Sequence, residues 1–255
     1  MGTEIVQLPL LKDNYSYLVH DVESGLTAAV DPSEAAPVLS ALAEKGWQLT
    51  HILNTHHHGD HVGGNRRLKQ VTGCKVHGPA SPDEPIPALD VMVNEGNRLE
   101  WGYHHVKVLA IPGHTRGHVA FWFDHAHALF CGDTLFAMGC GRLLGGTAEQ
   151  LWTSLDRLRS LPEDTLIYCA HEYTESNGRF ALTVEPRNPA LQARMQAVMA
   201  LRARGQSTIP SRLSTERATN PFLRWESPEI RDTLGLTDAS PLQVFSELRK
   251  LKDVF

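Results

Sequence analysis

Long apolar runs are missing from this 255-residue sequence: nothing resembles 18 consecutive apolar residues, so no transmembrane helix is expected. The N-terminal MGTEIVQLPLLKDNYSYLV also lacks the basic-then-apolar order and the small-residue cleavage site of a secretion signal, and a cytoplasmic chain is expected. Cysteine is sparse. Cys74, Cys131, Cys140 and Cys169 form no CxxC pair, which argues against a disulfide framework and suits buried, reduced thiols. Surplus positive charge is absent too: 24 Lys and Arg against 29 Asp and Glu leave a net charge of −5, which argues against a general nucleic-acid binder. Internal repeats and low-complexity segments are also lacking. What remains is an ordinary globular composition, long enough for one large core or a core with a small appendage, and two unequal domains are expected.

The runs EIVQLPL, YSYLVHD, LTAAVDP, HILNTH, HHVKVLAIPG, HVAFWF, ALFCGD and TLIYCAH are apolar, β-branched and stopped by polar or glycine-rich turns. They predict strands over the first two thirds of the chain. Helical patterns lie between some of them, notably EAAPVLSALAEKG with its terminal glycine and TAEQLWTSLDRLRSLP with Thr147 as N-cap and Pro162 as a stop. Many strands with a few interposed helices suggest helices packed outside sheets. After His171 no convincing strand follows, and the apolar spacing of LQARMQAVMALRARG is helical. The last helix is expected to begin with Ser240 as N-cap and Pro241 in its first turn, while the proline-rich GPASPDEPIP reads as an exposed loop.

The chemistry concentrates in LNTHHHGDHVGG, where four histidines and an aspartate fall between positions 56 and 61. HILN predicts a strand and HVGGNRRLKQ a helix, so the HxHxDH segment occupies a strand-to-helix turn, where ligands converge. One-residue gaps place His56 and His58 on a common side and leave Asp60 and His61 pointing elsewhere, so one loop can serve two centres. Further candidates stand at the ends of later predicted strands: His114 in IPGHTRGH, Asp133 in FCGDTL and His171 in CAHEY. Taken singly, each is an ordinary hydrogen-bonded residue; together with HxHxDH they form a ligand set. His57, His77 and His118 lack that support and read as structural or surface residues. Imidazole with carboxylate suits zinc, iron or manganese more than magnesium or calcium. Seven candidates exceed the four ligands of one tetrahedral zinc but suit two metals sharing one carboxylate.

THxHxDH at 55–61, followed in order by PGHTRGH, GDTLF and CAHEYT, resembles the metallo-β-lactamase superfamily. With GCGR, GT, HEYT and the terminal LRKLKDVF, the chain is similar over nearly its whole length to the glyoxalase II, or hydroxyacylglutathione hydrolase, branch. The resemblance implies an α+β fold, a four-layered αβ/βα sandwich of two mixed sheets over 1–172, then a smaller, all-helical glutathione-binding domain over 173–255. It implies His56, His58 and His114 on one metal, Asp60, His61 and His171 on the other, and Asp133 bridging them. The cofactor would be two divalent ions per chain, zinc foremost, with iron or manganese as alternatives. Asp60 and Asp133 would be the catalytic carboxylates. Asp31, ending AAVD, would sit beneath the site or be a plain turn aspartate. Arg142, Leu144, Tyr173 and Asn177 fall where the family holds the glutathione moiety, with Leu144 replacing an aromatic hydroxyl found in some relatives. Arg249 and Lys252 match a basic pair that clamps the glycine carboxylate; helix electrostatics alone would read them as a solvated helix end.

The implied reaction is hydrolysis of S-D-lactoylglutathione, and of other S-2-hydroxyacylglutathiones, to D-lactate and glutathione, the second step of methylglyoxal removal. Two metals sharing a hydroxide bring the pKa of water from ~15.7 toward ~7 and polarise the thioester carbonyl. A thiolate, with thiol pKa about 8.5, leaves far more easily than an alkoxide, so no strong general acid is required. The expected partner is this small-molecule thioester, for a monomer that binds neither nucleic acid nor membrane. The alternatives are another hydrolase of the same superfamily, such as a β-lactamase, lactonase or nuclease, and a redox enzyme such as a mononuclear-iron persulfide dioxygenase. A metal-binding protein without turnover is a third.

Overall fold

The computed structural model describes residues 2–80 and 85–255; residues 81–84 of the proline-rich stretch, expected to be a loop, lie outside them. The chain forms two compact units, one of Met1–Ala110 with Gly117–Gly132, the other of Ile111–Arg116 with Asp133–Phe255.

In the first unit a six-stranded sheet runs in the order β1 (Thr3–Leu10), β2 (Asn14–Asp21), β3 (Thr27–Val30), β4 (His51–Leu53), β5 (Lys75–Pro79) and β6 (Val91–Val93). The first three strands are antiparallel; from β3 onward the pairing is parallel. Parallel neighbours need crossovers. Between β3 and β4 the crossover is α1 (Ala35–Lys45), and between β4 and β5 it is α2 (Gly59–Val62) with α3 (Asn65–Thr72). Register pairs Leu18 with Ala29, Ala29 with Ile52 and Ile52 with Val76, so one apolar row crosses the sheet and packs with Val38 and Leu42 of α1 and Leu68 of α3. The α1 helix stops at Gly46, whose φ of 69° suits glycine, as the sequence pattern anticipates. An antiparallel meander of β7 (Arg98–Trp101), β8 (His104–Ala110), β9 (Val119–Phe123) and β10 (Ala128–Gly132) completes the unit. Its Phe130 meets Tyr17 of the first sheet at 5.3 Å between ring centroids, and Phe123 meets Trp101 at 5.4 Å.

The second unit begins its regular structure with a short ribbon, β11 (Leu135–Phe136) and β12 (Gly139–Cys140). Then follow α4 (Ala148–Arg159), β13 (Leu166–Cys169), α5 (Thr174–Val184), α6 (Pro189–Arg202), β14 (Ser211–Arg212), α7 (Leu213–Thr219), α8 (Pro228–Leu234) and α9 (Pro241–Val254). The expected starts are observed: Thr147 caps α4 in a capping box with Gln150, and Ser240 caps α9 in one with Gln243, with Pro241 in its first turn. One expectation is corrected. The region after His171 is not purely helical, because Ser211–Arg212 pairs antiparallel with Leu166–Ile167. Two residues carry no readable alternation, so such a strand leaves no sequence signal. Ala181, Leu191, Met195 and Val198 of α5 and α6 form a core with Met138 from the ribbon. Among the described residues no helix is long and apolar enough to cross a membrane.

Candidate metal centre

In the first unit the chemistry gathers where the parallel strands β3 and β4 end, the edge at which open α/β sheets present their ligand loops. Asp31 follows β3 with φ 47°, a left-handed conformation that Asp tolerates better than most residues. Its carboxylate is fully used: Thr55 donates its backbone N–H to Oδ1 (2.8 Å) and its hydroxyl to Oδ2 (2.6 Å), and His61 Nδ1 reaches Oδ2 at 3.1 Å. A carboxylate that takes the Nδ1 proton of a histidine fixes the tautomer that leaves Nε2 as a lone-pair donor, the arrangement found behind metal-bound histidines. Asp31 is thus not a plain turn aspartate.

His56 follows Thr55 and is fully buried, its Nδ1 3.0 Å from the Thr55 hydroxyl and its Nε2 3.0 Å from His58 Nδ1. Its ring stacks on His118 at 4.6 Å and 18°, so His118 is a buried supporting residue rather than a surface one. Thr55 itself fits because residue 132 is glycine, at φ 48°: a Cβ there would lie 2.3 Å from Thr55 Oγ1. Asp60 Oδ2 lies 3.6 Å from His61 Nε2.

In the second unit Asp133 holds one imidazole against each carboxylate oxygen: His114 Nε2 lies 3.4 Å from Oδ2 and His171 Nε2 3.4 Å from Oδ1. His114 Nδ1 lies 2.8 Å from the backbone carbonyl of Arg142, which selects the tautomer with Nε2 as lone-pair donor. His171 stacks parallel to Tyr173 at 4.7 Å.

These distances suit a divalent ion. Tetrahedral zinc with bonds of about 2.0–2.2 Å sets neighbouring donor atoms about 3.3–3.6 Å apart. The 3.4 Å spacings around Asp133 fall on that edge and lie beyond ordinary hydrogen bonds of about 2.7–3.2 Å. His56 Nε2 and His58 Nδ1, 3.0 Å apart, lie within hydrogen-bonding distance, so it is the Asp133 spacings that point to an ion. A cluster of metal-binding type, Asp31, His56 and His61, is therefore present in the first unit, and in the second Asp133 faces two imidazoles.

The residues expected on the glutathione side divide. Arg142, Leu144 and Tyr173 are exposed. Asn177 is buried and donates to the Ala137 carbonyl at 3.1 Å. Arg249 and Lys252 do not form the solvated helix end that helix electrostatics alone would suggest. Arg249 is only 3% exposed; it donates to the Cys140 carbonyl (2.9 Å), pairs with Asp253 (2.9 Å) and covers the Phe222 ring. Lys252 is half-buried over Phe180 and Phe255, and burial, then Arg249 and Arg142, push its ammonium down to about 8.

Several residues behind these groups escape a sequence reading. Asn14 donates to the Asp60 carboxylate, and Ser33 to its backbone carbonyl. Glu216 accepts the Met138 N–H at 2.8 Å, and Asn220 donates to the carbonyls of Phe136 and Gly139 at 3.0 Å each, so buried polar groups pin the ribbon that follows Asp133. Asparagine, serine and buried glutamate are common, and none stands in a motif.

Comparison with known proteins matches residues 21–171 to the metallo-β-lactamase superfamily and residues 172–255 to the family described as hydroxyacylglutathione hydrolase C-terminus. A hydroxyacylglutathione hydrolase of Methylococcus capsulatus is 59% identical over 252 residues, spanning 99% of this chain and 98% of that one. Among solved structures, ETHE1 from Myxococcus xanthus aligns with a TM-score of 0.68 at 25% identity, over 98% of this chain and 97% of that one. Another, TTHA1623 in a di-iron-bound form, aligns with a TM-score of 0.62 at 26% identity, over 86% of this chain and 100% of that one. The fold is accordingly the metallo-β-lactamase fold of two mixed sheets with a helical C-terminal region. Identity at this level, sustained from end to end and reaching through the C-terminal helices, places the chain in the hydroxyacylglutathione hydrolase family, EC 3.1.2.6, of the metallo-β-lactamase superfamily.

Proposed function

We propose that the chain hydrolyses S-D-lactoylglutathione and related S-2-hydroxyacylglutathiones to the free hydroxy acid and glutathione, with two divalent metals held by His56, His58 and His114 and by Asp60, His61 and His171, and with Asp133 shared. The observation that carries this reading is Asp133, whose two oxygens each face an imidazole Nε2 at 3.4 Å. When bound, two such ions supply a nucleophilic hydroxide at neutral pH and polarise the thioester carbonyl. The chain's own residues set up that chemistry. Asp31 and the Arg142 carbonyl fix the tautomers of His61 and His114. Asp60, with its side chain 41% exposed, is the carboxylate placed to accept or return a proton. Zinc is the proposed metal, because its preference for mixed nitrogen and oxygen donors fits this set, with iron and manganese as the alternatives.

On the substrate side, of the basic pair Arg249 and Lys252 expected at the glycine carboxylate, Lys252 supplies the charge, with exposed Arg142 nearby, and Tyr173 and Leu144 offer exposed apolar surface. Arg249 and Asn177 act from beneath, through the carbonyls of Cys140 and Ala137. A catalytic region over 1–172 and a glutathione-binding region over 173–255 are supported by the two family matches, which meet between residues 171 and 172. Cytoplasmic residence is supported by four buried cysteines that form no disulfide, and monomeric action by a ligand set carried on one chain.

The test compares lactoylglutathione, lactoyl-N-acetylcysteamine and a penicillin as substrates of metal-saturated protein, the two thioesters followed at the thioester absorbance and the penicillin at its β-lactam absorbance. A strong preference for the first is expected. Similar kcat/KM for the two thioesters would remove glutathione recognition from the reading, and preferential turnover of the penicillin would replace it.

A further inference from the structure

We infer that Asn14, at the start of β2, is a positioning residue for the Asp60 carboxylate and so sets the affinity of the metal that Asp60 serves. The inference rests on the reading of Asp60 as a ligand. Alternation along β2 turns Asn14, Ser16 and Leu18 to one face of the sheet, the face on which Leu18 packs with α1 and α3. There the Asn14 amide nitrogen reaches two atoms of one residue: Asp60 Oδ2 at 3.0 Å and the Asp60 carbonyl at 3.2 Å. An amide NH₂ has two protons, and this geometry spends both on Asp60. Ser33 gives the same carbonyl a second donor but does not touch the carboxylate.

The consequence is specific to the carboxylate. The Asp60 side chain is 41% exposed, and without a fixed donor its terminal torsion would sweep broadly. Asn14 itself is buried, 6% exposed, so it brings a buried donor to a partly exposed acceptor. With Oδ2 held by Asn14 on one side and 3.6 Å from His61 Nε2 on the other, the carboxylate is presented beside that imidazole in one orientation. Partners of this kind, one bond behind a metal ligand, change metal affinity about 10- to 100-fold when removed.

The experiment measures zinc stoichiometry and affinity by chelator competition, and the absorption spectrum of the cobalt(II)-loaded protein, for Asn14→Ala, Asn14→Asp, Ser33→Ala and Asp60→Ala. Asn14→Ala is expected to weaken one of two zinc equivalents by about 10- to 100-fold, to leave the other unchanged and to alter the cobalt spectrum of the weakened site. Asn14→Asp keeps the shape and loses the donor; a second carboxylate 3.0 Å from Asp60 is expected to change affinity at the same equivalent only. Ser33→Ala, which loses only the backbone contact, is expected to change zinc affinity by less than about threefold. If Ser33→Ala matches Asn14→Ala, the effect belongs to the backbone of residues 59–62 and the proposal is overturned. If Asp60→Ala loses one equivalent while Asn14→Ala retains both at full affinity, Asp60 is a ligand and Asn14 does not position it. If Asp60→Ala itself keeps both equivalents, the ligand reading of Asp60 fails, and the positioning role with it.

Discussion

Lys252 offers the sharpest test of glutathione recognition, because its charge should disappear within a workable pH range. Burial against Phe180 and Phe255, and then the positive charges of Arg249 and Arg142, bring its ammonium down to about 8. A lysine depressed in this way is cationic below that value and neutral above it. If the cation holds the substrate's glycine carboxylate, binding is strongest near pH 7 and weakens as pH rises through 8. At pH 9 about one free-enzyme molecule in ten keeps the charge, so KM is expected to climb up to about tenfold between pH 7 and pH 9. The carboxylate is remote from the thioester and changes little during attack, so kcat should be insensitive to this titration. Lys252→Arg keeps a cation at all these pH values and is expected to flatten the KM profile. Lys252→Ala should raise KM about tenfold or more at pH 7, from the loss of a charge-assisted contact of roughly 1.5–3 kcal/mol, and remove the slope. Initial rates at fixed ionic strength, corrected for spontaneous thioester hydrolysis, measure all three. A KM rise in the arginine variant equal to that of the parent would assign the pH effect to another group and refute the carboxylate contact.

The histidine and aspartate clusters were legible because they are local in sequence: HxHxDH compresses four of the seven expected ligands into six residues, and the other three each follow a readable apolar run. What holds those ligands was not legible. Asn14 meets Asp60 across 46 positions, Asn220 meets Phe136 across 84 and Arg249 meets Cys140 across 109, and each bond goes to a group that any residue type could supply, except for the Asp60 carboxylate. The strands β5, β6 and β7 were missed for a related reason. KVHGP, VMV and RLEW are short or interrupted by glycine and proline, and they become strands because neighbours pair with them. Arg249 shows the limit of helical periodicity. Positions 249 and 252 lie about 60° apart around a helix, close enough to suggest a shared face. That face nonetheless straddles the edge of the core, with Arg249 turned inward beside Phe245 and Leu248 and Lys252 at the rim.

Three further outcomes follow from particular contacts. Asp133→Ala should release both metals at once, whereas His114→Ala should weaken one of them; elemental analysis after gel filtration distinguishes the two, and equal losses would contradict a shared carboxylate. Thr147→Ala removes the hydroxyl that accepts the Gln150 N–H at the start of α4 and should cost about 1 kcal/mol in urea unfolding with little change in kcat. Glu185 gives a pH-dependent stability. Burial alone would raise its carboxyl, but hydrogen bonds from Arg224, Ser227 and Asn188 outweigh that and hold it below the usual carboxylate value. A carboxylate depressed on folding contributes stability that is complete above its unfolded value near 4.5 and is lost as pH falls through the folded one. Glu185→Gln should therefore unfold more easily by about 2–3 kcal/mol at pH 7, somewhat less than a fully buried pair would cost because Arg224 keeps 27% of its side chain in solvent. The gap between the two proteins should narrow as unfolding is measured at successively lower pH below 4.5, since the parent then protonates and loses what the glutamine variant never had. A gap that stays constant down to pH 3 would mean that the shape of residue 185, rather than its charge, stabilises the contact between α5 and the segment from Arg224 to Ser227.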